Sequence, residues 1–307
     1  TWRLTGDGTG ALTMCDFDES CSPGVLLETE YTAMELTDLT GDGARDLLLM
    51  TTDPDGRRVA RLYQYQNDML LQAGEVSTSP ETASVERMRS GRVQPSQPAV
   101  FAEERMASGV GLTTDIFVYH EGTLMNLALD GEDSITRSTY RPISVYASDI
   151  NADGVTELPR AVLMAGYDDA AASDAIFMLD WYVYSPDRPP VAVATTYDNI
   201  SDGWRLSIDA AWHGRVTAVK TTENNLSKVE FYEYLGSGNQ RPLFSIYMAT
   251  GATREYYAGR SDLIQLGESS QAVYFAKLAA DTQGDTLQIE SEDIKSRFSL
   301  VTQDWSD

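Results

Sequence analysis

Two short segments carry oxygen-bearing side chains at one shared spacing. Asp38, Thr40, Asp42 and Asp46 lie in DLTGDGARD, and Asp149, Asn151, Asp153 and Glu157 lie in DINADGVTE, at loop positions 1, 3, 5 and 9. Position 6 is Gly in both, and an apolar run follows each loop. Hard cations such as Ca²⁺ take roughly six to eight oxygens, which alternate side chains of a tight glycine-turned loop can supply. The spacing therefore predicts a Ca²⁺ site in each loop, structural in role, cross-linking the loop to its strand. Neither is an EF-hand, because Leu49 and Arg160 stand where that motif has its bidentate Glu. The same residues also suit plain acidic turns held by Asx hydrogen bonds.

The remaining inventory for chemistry is thin. Only two histidines occur, His120 in VYHEGTL and His213 in AWHGRV, which excludes a His-rich metal centre and predicts structural or exposed roles for both. Cys15 and Cys21, in CDFDESC, lack the second pair of a zinc site and could be bridged or free. TGDGTG at 5–10 lacks the Lys-Ser/Thr of a phosphate loop and reads as a turn. Glycoside cleavage needs two carboxylates of unequal acidity, and Asp115 and Asp180, inside apolar strands, are the best candidates; plain hydrogen-bonded core carboxylates are the competing reading. Trp204 and Trp212, in DGWRLSIDAAWHG, are the candidate anchors for a sugar or peptide, with packing between blades as the alternative.

The elements that must position these groups are strands. Aromatic-rich, alternating runs recur at 60–66, 114–120, 177–185, 229–235 and 272–278, each preceded by another apolar strand, and the first four are followed by a third. The unit is an antiparallel meander used about five times. Meanders of this size cannot bury both faces alone, and radial stacking gives a β-propeller; a pair of sandwiches is the competing all-β solution. The expected fold is all-β, a propeller of about five, or six, blades over 33–307. Residues 1–32 form an N-terminal segment that could supply a ring-closing strand, and SEDIKSRFSLV reads as a short C-terminal helix.

With its acidic loops entering strands, the chain resembles the FG-GAP or VCBS repeat, whose integrin-type blades carry D-x-[DN]-x-D-G-x-x-D. Residues 149–157 keep that pattern with Glu157 in the last place, while Thr40 departs from it at 38–46. The strings DINADGVTELPR, DWYVY, YDNISDGW and SRFSLV are also similar to a group of secreted lipoproteins with VCBS repeats from gut clostridia, across about residues 33–305. That resemblance implies export and attachment to the outer face of a Gram-positive cell membrane through a removed N-terminal lipid-modified Cys. It transfers no catalytic residue.

Charge narrows the partners. The chain has 307 residues, and 23 Lys and Arg against 47 Asp and Glu leave −24, so a phosphate backbone or an anionic membrane would be repelled. No apolar run approaches the ~18 residues of a membrane span. The sequence thus points to a non-catalytic extracellular binding or adhesion module for a protein or glycan, with a glycoside hydrolase or lyase on a five-bladed propeller as the alternative. A purely architectural part of a surface assembly is a third reading that the residues do not separate from the first.

Overall fold

A computed structural model describes residues 2–6, 11–17, 23–67, 69–129, 139–171, 174–223, 225–236, 238–280, 287 and 289–301. Cys21 and most of TGDGTG lie outside the described residues. The chain forms two compact units, Thr1–Arg160 with Tyr182–Val191, and Ala161–Trp181 with Ala192–Asp307.

The fold is all-β, and among the described residues its strands fall into five antiparallel sheets of three to five strands. The first is β1 (Trp2–Gly6), β2 (Ala11–Phe17) and β3 (Pro23–Glu30), paired in chain order among themselves. The second is the meander β4 (Ala33–Thr37), β5 (Asp46–Thr52), β6 (Arg58–Gln66) and β7 (Met69–Ser77). The third is the meander β8 (Thr82–Gln94), β9 (Gln97–Met106), β10 (Leu112–His120) and β11 (Thr123–Asn126). The fourth runs β12 (Leu158–Leu163), β13 (Phe177–Val183), β14 (Val191–Asn199) and β15 (Trp204–Ile208). The fifth holds β16 (Val216–Glu223), β17 (Leu226–Tyr234) and β18 (Gln240–Thr250). After α1 (Thr253–Ala258) come β19 (Ile264–Glu268) and β20 (Ala272–Leu278), then α2 (Ser291–Arg297) and β21 (Phe298–Leu300). Among the described residues no helix is long and apolar enough to cross a membrane.

Two expectations change here. The fifth repeat, at 262–278, makes no sheet of its own: β20 pairs antiparallel with β18, from Phe244 opposite Leu278 to Thr250 opposite Ala272, and β19 lies outside it. The C-terminal helix is also shorter than SEDIKSRFSLV. It stops at Arg297, and Phe298–Leu300 becomes a strand beside β15, where Phe298 stacks on Trp204 with ring centroids 5.9 Å apart.

Period-two alternation explains why the inner strands are apolar throughout. Along β5, Leu48 and Met50 enter one cluster, with Ala60, Leu62, Val100, Ala102 and Phe117, while Leu47 and Leu49 enter another with Tyr63. Along β9, Val100 and Ala102 join the first of these, and Ala99 and Phe101 join a third cluster with Ile116, Val118 and Leu158. Successive side chains point to opposite faces, so a strand covered on both sides must be apolar at nearly every position. That parity also sends Glu103 and Glu104, the next two residues of β9, to opposite faces. The second unit has its own core around Trp204, Trp212, Phe231 and Phe244.

Candidate functional site

The two acidic loops share one backbone form. Loop 38–46 joins β4 to β5, and loop 149–157 leads into β12. Position 4 has positive φ in both, 78° at Gly41 and 60° at Ala152, and so does position 6, 89° at Gly43 and 84° at Gly154. This left-handed region is easy for Gly and costly for Ala.

The acidic side chains hold that form by accepting backbone N–H groups. Gly43 donates to Asp38 Oδ2 at 2.9 Å and Gly154 to Asp149 Oδ2 at 2.8 Å. Ala44 donates to Asp42 Oδ1 and Val155 to Asp153 Oδ1, each at 2.8 Å. The last carboxylate reaches back to the loop's start: Leu39 and Thr40 donate to Asp46 Oδ2 at 2.9 Å, and Ile150 donates to Glu157 Oε2 at 3.0 Å. Asp46 and Glu157 are buried, and burial holds both carboxyls above their ordinary range, with neighbouring loop aspartates adding to the effect. Hydrogen bonds to the last carboxylate thus tie the start of each loop to its far end.

The cation's oxygens fit in kind but do not close around a point. In loop 149–157, Asp153 Oδ2 and Glu157 Oε1 both face the Asn151 carboxamide, which donates to them at 3.0 and 3.2 Å. In loop 38–46 the amide is Gln64 of β6, donating to Thr40 Oγ1 at 3.2 Å and Asp42 Oδ2 at 3.4 Å. In each loop a neutral carboxamide N–H group bridges two side-chain oxygens. Among the described residues no three His, Cys, Asp or Glu side chains are gathered as a metal site.

The strand carboxylates belong to different units. Asp180, on β13, accepts from Thr195 Oγ1 at 2.7 Å and faces His213 Nε2 at 3.1 Å, off the line of a good hydrogen bond. His120, at the end of β10, contacts Gln97 Oε1 at 3.2 Å and Asp187 Oδ1 at 3.1 Å. Asp115, on β10, is fully buried and accepts from Ser79, by N–H at 2.9 Å and by Oγ at 2.6 Å. Beside it lies Glu104, which sequence reasoning left as part of an apolar strand. Burial, reinforced by the Asp115 charge, pushes the Glu104 carboxyl up to about 8. The signal that could have found it is the pair Glu103–Glu104 closing one strand while Thr113, Thr114 and Asp115 open its neighbour.

Trp204 and Trp212 are 1% and 3% exposed, which fits the packing alternative and leaves no surface for an anchor. Trp204 meets Tyr197 and Phe298, and Trp212 meets Phe231 and Phe244, at centroid distances of 5.4 to 6.5 Å. Neither ring has a free face for a ligand.

No protein-family model matches the chain, and no curated protein sequence matches it. Among solved structures, the α-L-arabinanase of Penicillium chrysogenum, complexed with arabinobiose, is similar at 9% identity and a TM-score of 0.26, over 89% of this chain and 87% of that one.

Proposed function

We propose that the chain is a non-catalytic, extracellular binding module tethered at a cell surface, with Ca²⁺ reinforcing the loops at 38–46 and 149–157. Its partner is a protein or glycan, and the −24 charge disfavours nucleic acid. The observation that carries this reading is the shared loop form, in which side-chain oxygens meet in pairs on one carboxamide. A cation there would be held by Asp153 and Glu157 in one loop and by Thr40 and Asp42 in the other, and would add charge neutralisation to the N–H donors those carboxylates already accept.

The hydrolase alternative draws on Glu104, whose carboxyl is pushed up to about 8 by burial and the neighbouring Asp115 charge, as the proton donor of glycoside cleavage requires. Both are 0% exposed, and their described partners are internal, which favours a structural role over contact with a saccharide.

The test is a thermal melt in EDTA and again in millimolar Ca²⁺, with calorimetric titration of the metal-free chain. The reading expects a raised Tm and one or two sites, both reduced by Asp149→Ala with Asp153→Ala. An unchanged melt reduces the loops to hydrogen-bonded turns. In parallel, a polysaccharide panel assayed for new reducing ends should stay silent; release of sugar would replace the binding reading with the hydrolase.

A further inference from the structure

We infer that Glu104 and Asp115 form a proton-dependent clasp between two sheets of the first unit, closed while the pair shares one proton and loosened at mildly alkaline pH. Both groups lie on one sheet, Glu104 on β9 and Asp115 on β10. Their register, Thr113 opposite Glu104 and Asp115 opposite Ala102, sets them diagonally on the same face. Two of their partners come from the neighbouring sheet and the turn after it, and a third from β8 of their own sheet. Arg58 of β6 meets Glu104 Oε2 at 2.7 Å, and Ser79, just past β7, gives both its donors to Asp115. Thr82, at the start of β8, donates to Glu104 Oε2 at 2.5 Å.

Counting donors shows why a proton is needed. Asp115 has a donor on each oxygen, and Glu104 has two on Oε2, but Glu104 Oε1 is buried with no hydrogen-bond donor. Asp115 is the carboxylate beside Glu104, within side-chain hydrogen-bonding reach. Two ionised carboxylates have nothing to exchange there, whereas a proton on Oε1 makes Glu104 a donor to Asp115 and fills the last position. Charge gives the same answer. The charged groups acting on Glu104 are Asp115 and Arg58, while Glu103 and Arg141 occupy the opposite face of β9. With one shared proton, a single anion faces a single cation.

The sign follows from linkage. Glu104 titrates at about 8 in the folded chain against an ordinary value of 4.5. Between those values the folded state binds the extra proton. The clasp's contribution is therefore full below the lower value, declines through the window and is gone above the upper one. For one proton the folding constant drops roughly tenfold per pH unit inside the window.

The experiment compares urea denaturation of the whole chain and of Glu104→Gln from pH 5 to 9. Gln keeps the size, accepts from Thr82 and Arg58, and donates to Asp115 without titrating. The wild type should lose about tenfold in folding constant per pH unit relative to the variant up to pH 8, and run parallel above it. Parallel profiles throughout would overturn the clasp. If the variant does not fold, ¹³C-carboxyl NMR of the wild type decides: a Glu104 resonance titrating near 8 upholds the shared proton, and one titrating near 4.5 overturns it. Amide exchange at Ser79 reports the opening itself. Protection lost above pH 8, beyond the ordinary base-catalysed rise, is the expected result, and protection kept in step with β9 and β10 overturns the loosening.

Discussion

The Arg141 guanidinium lies on the Glu103 carboxylate with neither side chain exposed to solvent. Around this pair four of the five guanidinium N–H groups have acceptors: Arg141 also donates to Thr114 Oγ1 at 2.9 Å and Thr139 O at 3.1 Å and reaches the Val145 carbonyl, while Ala147 N–H donates to Glu103 Oε1 at 2.7 Å. The segment 139–147 has little regular structure, so these bonds, with the bridge between Arg141 and Leu112, fix it against β10. Gly111 leaves room for that bridge, because a Cβ there would come within 2.4 Å of the Arg141 carbonyl.

Among the described residues, removing Arg141 leaves the buried Glu103 carboxylate with only the more distant Arg87, at 3.6 Å, as a charged partner. Arg141→Met should cost about 3–5 kcal/mol, measured by urea denaturation at pH 7. Adding Glu103→Gln should restore part of the loss, because the stranded carboxylate then becomes neutral. A cost below about 1 kcal/mol for the single variant, in the range of exposed pairs, would show that water reaches Glu103.

Ala152 adopts the left-handed conformation that Gly41 fills in the other loop. Because Ala pays a steric penalty there that Gly does not, Ala152→Gly should stabilise the chain by about 1 kcal/mol, less the entropy Gly loses on folding. The melting temperature should rise by a few degrees at most. A decrease would mean that loop 149–157 does not hold the backbone form of loop 38–46.

Much of this architecture is legible in the residues, and the gaps have physical causes. The strands at 60–66, 114–120 and 272–278 announce themselves because alternation is a local property, and the two loops do so because glycine and aspartate spacing is local too. Pairing is not local. Nothing in AVYFAKL says that it will lie beside β18 and complete a sheet begun near residue 216. Glu104 stayed hidden for the same reason, since its acidity depends on Asp115 and Arg58, neither of them its neighbour in sequence. Exposure is equally non-local: Trp204 is covered by Phe298, which arrives more than ninety residues later.

That late arrival makes the C-terminal strand part of the second unit's core. Trp204 packs between Tyr197 and Phe298, with centroids at 5.4 and 5.9 Å, and Phe298 also meets Tyr274 at 5.6 Å. Trp204→Ala should therefore cost about 3–5 kcal/mol, the usual range for a buried aromatic. Phe298→Ala should cost a comparable amount and release β21 from β15, because Leu206 opposite Phe298 loses its cross-strand neighbour. Hydrogen exchange separates this from general destabilisation. Amides at 298–301 should lose protection in Phe298→Ala while those of β17 and β18 keep it under native conditions, and equal loss in both regions would mean that β21 unfolds only with the whole unit.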